Sequence, residues 1–341
     1  MQIFEKVTSS PYFIAEAGLN HNGNLNLAHE IIELSHRAGA DAVKFQKRTV
    51  SQLAIKQVLD SEDSRFPFLG STYREIRESL EFNFSEYVEL KNHADSLNLD
   101  FLVTPFDIEA IEFLRPLNLE AFKVASHSVR NLDFLHSLAN ENKPIIMSTG
   151  MSTLHEIDAA IKVWQTHGIK YALLHCVSSY PTVDDDANLD VIKTLKKRYG
   201  VTVGYSGHEV DDLASIVAVS LGAKIVERHV TTDKKLNGFD HKLSLDEKEL
   251  ELTISKLRRV ASLIGNPEKT LLTSELVARE KYNVSMVSKR DLLRGDILKI
   301  EDVTWKNPGT GIARSDRDLY IGKKLLQNVG EDCLLLPEMF E

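Results

Sequence analysis

Short apolar runs that end in one or two polar groups recur along the chain. Residues 13–15 run into Glu16, for example, and residues 101–103 into Thr104. The polar ends of the eight runs are Glu16, Lys44 with Gln46, Thr104, Ser126, Ser148, His175, Ser206 with His208, and His229. Eight buried strands with polar groups at their carboxyl ends are typical of a (β/α)8 barrel, which builds its active site at that end. The pattern therefore predicts an α/β protein and an enzyme.

Segments with helical periodicity separate these runs. Apolar residues recur at three- and four-residue spacing in 27–34, 87–97, 108–114, 132–138, 154–164, 189–195, 213–221 and 248–264. Strand and helix patterns thus alternate, as a parallel sheet requires. The segment 49–80 is the exception, because it is long and rich in charge. It is either a lid or substrate-recognition loop on the catalytic face, or an insertion with a short helix and no such role.

The alternation stops after Ile264, where Gly265-Asn266-Pro267 breaks the last helix. We predict a barrel domain over 1–265, a linker over 266–283 and a small, mostly β domain over 284–341. Short β-like runs at 285–287, 303–305 and 334–336 alternate with turn signals in the last domain. A core of about 60 residues is marginal by itself, so this domain is expected to pack on the barrel or on a second subunit.

Composition and charge narrow the class of protein. The 341 residues carry a formal net charge of −9 and no basic stripe, which argues against a nucleic-acid partner. Two cysteines, Cys176 and Cys333, make no disulfide framework and suit a reducing compartment. The amino terminus lacks the apolar core of a signal peptide, and the longest apolar stretch is too short to span a membrane. These features predict a cytoplasmic protein without a membrane or nucleic-acid partner.

Two histidines, His208 and His229, follow the seventh and eighth runs. Adjacent barrel strands lie about 4.8 Å apart, so two imidazoles at neighbouring strand ends can share a divalent metal. Two protein ligands leave coordination positions open for water and substrate, which suits Lewis-acid catalysis. The alternative is that each histidine is an ordinary hydrogen-bonded polar residue.

Two lysines, Lys44 and Lys123, end otherwise apolar runs, where an unpaired charge is costly. We expect both to point into the barrel mouth and to meet an anion. Hydroxyl donors would surround that anion, a suitable environment for phosphate or carboxylate; they are Ser126, Ser148, Ser178 and Ser206. The alternative is that the lysines form salt bridges with Glu16 or Glu227 inside the barrel.

Glu16 could orient water, act as a general base or bind sugar hydroxyls. His21 and Asn22 lie at a predicted helix start, where either could cap the helix. Asp240 follows the eighth run and is a further candidate for substrate contact. Neighbouring strand residues point to opposite faces, so we interpret Cys176, beside His175, as a core residue.

Ordered motifs over nearly the whole chain resemble the sialic acid synthase family, the phosphoenolpyruvate-dependent synthases of nonulosonic acids. The matching segments are 14–23 (IAEAGLNHNG), 43–47 (VKFQK), 122–126 (FKVAS), 148–151 (STGM), 173–176 (LLHC), 180–182 (YPT), 204–209 (GYSGHE), 227–229 (ERH), 238–245 (GFDHKLSL) and 308–312 (PGTGI). The last of these falls in what resembles the family's antifreeze-like (SAF-type) domain. Any single motif is weak, whereas so many in this order are specific.

The resemblance implies condensation of phosphoenolpyruvate with an N-acetylmannosamine-like or modified aldose, with release of phosphate. It implies a divalent cation, Mn²⁺ in the first place with Mg²⁺ or Co²⁺ as alternatives, held by His208 and His229. Glu16 and Asp240 would complete the catalytic set, and Gln46, Tyr180 and Asn307 would contact the sugar. The implied phosphoenolpyruvate-binding residues are Lys44, Thr104, Lys123, Ser126, Ser148, Ser178 and Ser206. Members of the family are homodimers in which the carboxyl-terminal domain covers the partner's barrel.

Two departures from the family pattern concern the sugar. Well-known members carry a carboxylate where this chain has Ser128, and bacterial sialic acid synthases carry an arginine where it has Asn307. Lys47 and the charged loop 73–81 resemble the branch whose acceptor carries a 6-phosphate. Two other functions stay open on the sequence alone: a metal-dependent barrel aldolase or isomerase acting on another sugar, and a non-catalytic sugar-acid-binding protein.

Overall fold

The computed structural model describes residues 10–341, which form two compact units that meet in sequence at Gly265 and Asn266. The first unit holds a closed barrel of eight parallel strands in sequence order. The strands are β1 (Tyr12–Gly18), β2 (Ala42–Lys47), β3 (Asp100–Pro105), β4 (Phe122–Val124), β5 (Ile145–Ser148), β6 (Tyr171–Cys176), β7 (Val203–Gly207) and β8 (Ile225–His229). The barrel closes where β8 pairs with β1, in a register that sets His229 beside Glu16. The predicted (β/α)8 barrel is confirmed.

Helices lie between the strands at the predicted places, within a few residues. They are α1 (Leu25–Arg37), α2 (Val50–Leu53), α3 (Lys56–Leu59), α4 (Tyr73–Glu78), α5 (Phe84–Ser96), α6 (Ile108–Leu114), α7 (Leu132–Ala139), α8 (Leu154–Thr166), α9 (Val191–Tyr199), α10 (Leu213–Ser220) and α11 (Glu247–Ile264). Asn24 caps α1 through its side chain, so the expectation that His21 or Asn22 caps this helix is wrong. His21 is instead buried, and its ring packs on Phe82.

The barrel interior is built in layers with the two-residue period of a strand. An apolar layer fills the barrel below the strand ends, with Ile14, Leu102, Ile146, Leu174 and Ile225 among its residues. The inward position two residues further along each strand carries most of the polar groups. These next positions are Glu16, Lys44, Thr104, Lys123, Ser148, Cys176, Ser206 and Glu227. The apolar layer closes the barrel from below, so the polar layer is the floor of any site at its mouth.

The long segment 49–80 after β2 packs against the loop that follows β1. Its helices α2, α3 and α4 contact one another, and Ile76 and Leu80 form a small buried cluster with Leu19 of the loop after β1. The backbone carbonyl of Ser79 approaches Gly23 so closely that a Cβ on Gly23 would overlap it, and Gly23 has φ of +72°. Only glycine suits both conditions. The segment is therefore fixed relative to the strand ends.

The second unit has its own small core. Strands β9 (Ser285–Ser288) and β10 (Val303–Lys306) pair antiparallel, and the third predicted run contributes only an isolated bridge between Val287 and Leu334. Helix α12 (Leu276–Tyr282) lies in the segment predicted as a linker. Buried apolar residues of this unit include Met286, Leu298 and Leu335. In the part of the chain that the structure describes, no helix is both long and apolar enough to cross a membrane.

We expect Gly23→Ala to destabilise the barrel. A side chain in the left-handed region costs about 1–2 kcal/mol, and overlap with the Ser79 carbonyl adds about 1–3 kcal/mol. Gly168→Ala is the matched control, because Gly168 has φ of +66° with nothing within 4 Å of an added Cβ. Urea unfolding of both variants measures the overlap cost as the difference between their free energies of unfolding. Equal losses in the two variants would contradict the close approach at Gly23.

Candidate active site

A cavity of about 350 Å³ opens at the carboxyl ends of the strands. It brings together nearly all of the residues predicted from the sequence, although these are scattered over 225 positions of the chain. The predicted residues that line it are Glu16, Lys44, Gln46, Thr104, Lys123, Ser126, Ser148, Ser178, Tyr180, Ser206, His208, His229 and Asp240. This cavity is the candidate active site, and the roles of its individual residues remain predictions.

Buried charges of both signs form the floor of the cavity. Lys44 Nζ lies 2.7 Å from Glu16 Oε2 and donates a hydrogen bond to Thr104 Oγ1 at 2.9 Å. Lys123 Nζ donates to Ser148 Oγ at 2.7 Å. Glu227 lies between the lysines, with Oε1 3.8 Å from Lys44 Nζ and 3.7 Å from Lys123 Nζ. The alternative expected for the lysines, pairing with barrel carboxylates, is thus present in the structure.

This pairing leaves the lysines able to meet an anion. Burial lowers the pKa of Lys123, although the charge of Glu227 opposes the shift. The other oxygen of Glu227, Oε2, is buried and accepts no hydrogen bond within the described chain. Two ammonium groups therefore face the cavity with carboxylates at ion-pair distance. An anion that enters the cavity adds partners to both, whereas loss of Glu227 would leave buried positive charge uncompensated.

Hydroxyl groups surround the same space near Gly150. The Gly150 amide donates to Ser126 Oγ at 2.9 Å. A Cβ on Gly150 would overlap Ser178 Oγ and come within 2.8 Å of Ser126 Oγ, so a glycine is needed for this close approach. Ser126 and Ser178 therefore stand beside a backbone amide, which together with the lysines suits a phosphate or carboxylate.

The two histidines meet at the wall formed by β7 and β8. Their ring centroids lie 5.6 Å apart. His208 Nδ1 lies 2.9 Å from the carbonyl oxygen of Val177, which can only accept, so Nδ1 carries the proton and Nε2 keeps a lone pair. Burial, and then the neighbouring His229, lower the pKa of His208 to about 3, which keeps the ring neutral. His229 Nδ1 is buried without a hydrogen-bond partner among the described residues.

These features fit a divalent cation. Neutral imidazole nitrogens are common metal ligands, and a backbone carbonyl that fixes the tautomer is the usual outer partner. The carboxylate of Asp240 also lies close to this pair, with its Oδ2 atom 3.7 Å from His229 Nδ1. Within residues 10–341, no cluster of three or more histidine, cysteine or acidic side chains has the geometry of a metal site. A cation held by His208 and His229 would therefore take further ligands, such as water or substrate, if it binds among the described residues.

The predicted sugar-contacting residues divide between the two units. Gln46 donates a hydrogen bond to Glu16 in the cavity. The ring centroids of Tyr180 and His208 lie 4.1 Å apart. Burial raises the pKa of Tyr180 well above its usual value, so the phenol stays protonated and can donate. Asn307 belongs to the second unit, where its side-chain amide lies 3.2 Å from the carbonyl oxygen of Lys281.

The sequence assigned the cavity-facing position of the sixth strand to the wrong residue. Cys176 is buried, as expected of a core residue, but it also lines the cavity, and burial raises the pKa of its thiol. His175, the polar end of the sixth run, points away from the cavity and bonds the carbonyl oxygen of Ala187 at 2.7 Å. The signal was in the strand itself. Ala172 and Leu174 face the barrel interior, so the two-residue period places Cys176 inside.

Sequence reasoning named neither Arg48 nor Arg77 as a site residue, although Arg77 lies in the charged loop 73–81. Arg48 and Arg77 both line the cavity, Arg48 directly after β2 and Arg77 from helix α4. Lys47 is turned away from it, since its ammonium group donates to Glu81 at 2.9 Å and lies 4.5 Å from the centroid of the Phe113 ring. The arginine positions depend on how segment 49–80 packs, which the sequence pattern does not encode.

Comparison with known proteins gives consistent matches. The model of the NeuB family matches residues 31–269, and that of the SAF domain matches residues 283–341. The chain is 36% identical to the N,N'-diacetyllegionaminic acid synthase of Campylobacter jejuni, covering 94% of this chain and 98% of that protein. It is 37% identical to the N-acetylneuraminate-9-phosphate synthase of Drosophila melanogaster, covering 96% and 95%.

A solved structure agrees with these matches. The N-acetylneuraminic acid (sialic acid) synthetase of Leptospira borgpetersenii, crystallised with citrate, superposes with a TM-score of 0.70 at 32% identity. The alignment covers 79% of this chain and 90% of that one. The two family models together match both units of the chain.

We expect Glu227→Gln to lower the free energy of unfolding by about 3 kcal/mol, because it leaves two buried ammonium groups short of negative charge. Glu33→Gln is the control, since it removes an ion pair whose side chains are half exposed and should cost about 1 kcal/mol or less. Denaturant unfolding at neutral pH measures both. If the two variants lose the same stability, Glu227 does not balance the lysines.

Proposed function

Because the chain belongs to the NeuB family, we propose that it condenses phosphoenolpyruvate with a 2-acetamido aldose to give a nonulosonic acid and inorganic phosphate. The observation that carries this proposal is the cavity itself. It places two buried lysines and a group of serine hydroxyls next to His208 and His229, at the open end of a barrel. Such a site can bind an anion through the lysines and serines and a cation through the histidines, next to each other. A reaction between an anionic enol phosphate and an aldehyde requires both.

The lysine side of the cavity binds phosphoenolpyruvate in this proposal. The carboxylate and phosphate of phosphoenolpyruvate pair with the cavity-facing ammonium groups of Lys44 and Lys123. They also accept hydrogen bonds from the hydroxyl groups of Ser126, Ser178 and Ser206. Thr104 and Ser148 hold the two ammonium groups in position, at 2.9 Å from Lys44 Nζ and 2.7 Å from Lys123 Nζ. Fixed donors keep the enol carbon of the substrate in one orientation for attack.

The histidine side of the cavity orients the acceptor. We propose a divalent cation there, Mn²⁺ in the first place with Mg²⁺ or Co²⁺ as alternatives, held by His208 and His229. A cation in that position supplies Lewis-acid polarisation of an aldehyde oxygen. The Val177 carbonyl keeps His208 in the tautomer that offers Nε2. Tyr180 packs on His208 and restricts its ring.

Carboxylates next to these two sides handle protons and hydroxyl groups. Glu16 accepts a hydrogen bond from Gln46 and faces Lys44, so it can orient a water molecule towards the enol carbon. Asp240 lies beside His229 and can accept from a sugar hydroxyl. The methylene carbon of phosphoenolpyruvate attacks the aldehyde carbon, and the aldehyde oxygen takes up a proton to become a hydroxyl group. Water adds at the enol carbon and loses a proton, and phosphate then leaves with cleavage of the bond between that carbon and the phosphate oxygen, which gives the keto group of the product.

We also propose that the protein works in the cytoplasm as a homodimer. The proposed substrate phosphoenolpyruvate is present in the cytoplasm, which supports the proposed location. The resemblance to synthases with a carboxyl-terminal antifreeze-like domain supports the homodimer, and Asn307 would contact the sugar from that domain. Molar mass by light scattering tests the dimer, because a monomer has 38.4 kDa.

The decisive test is phosphate release from phosphoenolpyruvate with Mn²⁺ present. The acceptors are N-acetylmannosamine, its 6-phosphate, mannose and diacetamido-trideoxyhexoses. Release that depends on one of the acetamido sugars is expected, and His229→Ala should reduce it by about 10³-fold or more, since the group that activates the aldehyde is lost. His36→Ala, which alters an exposed histidine, should leave the rate unchanged.

Other results would select another function. Conversion of a sugar without phosphoenolpyruvate would indicate an aldolase or isomerase. Binding of phosphoenolpyruvate with no turnover of any acceptor would indicate a sugar-acid-binding protein.

A further inference from the structure

One histidine in the cavity has no part in the reaction proposed above. His127 follows Ser126 in the short turn after β4, and it lines the cavity together with Lys123. The residue is exposed, so a molecule that enters the cavity can reach its imidazole ring. An accessible imidazole beside a proposed substrate site is suited to proton transfer.

The surroundings of His127 restrain its ring. The ring centroid lies 4.6 Å from that of Phe106, which follows β3. The Ser128 amide donates to the carbonyl oxygen of Ala125 at 3.0 Å, which closes the turn that carries His127. A ring that is held in this way has little freedom left to lose when it acts on a bound substrate.

Ser128 engages one of the two ring nitrogens of His127. The Nε2 atom lies 3.1 Å from the hydroxyl oxygen of Ser128, a buried residue. The Nδ1 atom has no hydrogen-bond partner among residues 10–341. A serine hydroxyl can accept a hydrogen bond from an Nε2–H group, and that tautomer leaves a lone pair on Nδ1. His127 therefore has a nitrogen that can take up a proton.

The charges around His127 keep its imidazole neutral. Burial, and then the positive charges of Arg48 after β2 and Lys123 in β4, lower the pKa of His127 to about 4. The ring that packs on it, Phe106, carries no charge. Phosphoenolpyruvate bound at Lys123 brings negative charge that offsets the lysine and raises this pKa towards its ordinary value of about 6.5. The imidazole thus becomes a stronger base when the substrate is present.

We propose that His127 is the general base for the water molecule that adds at the enol carbon. This inference rests on the proposed synthase function and adds a catalytic residue to it. The position of His127 next to Ser126 puts it on the side of the cavity that binds phosphoenolpyruvate in that proposal. Glu16 can still orient the water. It pairs with Lys44 at 2.7 Å, however, and uptake of a proton by Glu16 would break this buried ion pair.

The protons balance over the reaction. His127 Nδ1 takes one proton from the water molecule as the water oxygen bonds to the enol carbon. The bond between that carbon and the phosphate oxygen then breaks, and the imidazolium gives its proton to the departing phosphate. The hydroxyl group that remains on the carbon loses its proton as the keto group forms. This proton offsets the one that the aldehyde oxygen takes up, so no further reactant is needed.

The experiment measures kcat, and KM for phosphoenolpyruvate, with Mn²⁺ and the acceptor sugar that the unaltered enzyme turns over. Glutamine can hydrogen-bond but takes up no proton, so His127→Gln should lower kcat by about 10²- to 10⁴-fold and leave KM nearly unchanged. The control is His155→Gln, which alters an exposed histidine of helix α8 and should change neither constant. Circular dichroism establishes that both variants are folded.

The pH dependence of kcat separates a base from a residue that only shapes the cavity. A base acts when it is neutral, so kcat of the unaltered enzyme should fall as the pH is lowered through the pKa of His127 in the complex, between about 4 and about 6.5. His127→Gln should lack this fall. The substrate phosphate titrates with both proteins, so the difference between the two profiles belongs to His127. Added imidazole should restore part of the activity of His127→Ala, because the position is exposed.

Other results overturn the inference in distinguishable ways. An unchanged kcat in His127→Gln refutes the base while the synthase function stands. A lower kcat with an unchanged pH profile and no gain from imidazole refutes it too, and leaves His127 a structural residue. A rise in KM alone assigns His127 to substrate binding and likewise refutes the base. No phosphate release by the unaltered enzyme with any acceptor refutes the synthase function, and the role of His127 with it.

Discussion

The cluster of buried opposite charges on the barrel floor is the interaction on which the rest of the site depends. Lys44 lies between Glu16 and Glu227, and Lys123 faces Glu227 from the other side of the barrel. Each charge is tolerable only because the others are present, since a single buried ion would be strongly destabilising. The cluster therefore keeps two ammonium groups charged in a buried position, where an incoming anion interacts more strongly with them than it would in water.

The two-residue period of the strands explains how the floor is assembled. Residues that face the barrel interior alternate with residues that face the helices. The next inward-facing residue after an apolar one therefore lies two positions further along the strand. The same rule pairs functional groups within a strand, as with Lys44 and Gln46 in β2, or Glu227 and His229 in β8. The first member of each pair lies on the floor and the second lies nearer the opening. A barrel can in this way place groups that bind an anion on its floor and groups that bind a cation nearer its opening.

The loops decide what else enters the cavity. Segment 49–80 packs through Ile76 and Leu80 and brings Arg77 to a wall that no strand supplies. Relatives at 36% and 37% identity carry names that specify different products, a diacetylated legionaminic acid and a phosphorylated neuraminic acid. In the proposed function, the floor and the histidines serve the step that such reactions share. The insertion contributes Arg77 to the cavity without taking part in the barrel.

The sequence by itself determined the barrel, the order of its strands and most of the residues in the cavity. Apolar runs with polar ends are set by strand burial, which is a local property and survives in the pattern. It also determined the family, since many short motifs appear in one order. It did not determine which of His175 and Cys176 faces inward, although the period of β6 contained that information.

Only the tertiary structure decided the state of the lysines, the orientation of Lys47 and the positions of Arg48 and Arg77. Each depends on contacts between residues far apart in sequence, such as Glu16 with Lys44 or Gly23 with Ser79. A hydrophobic pattern fixes the face on which a side chain lies. It does not fix the partner that the side chain meets, because that partner comes from another segment whose packing is settled only when the whole barrel closes.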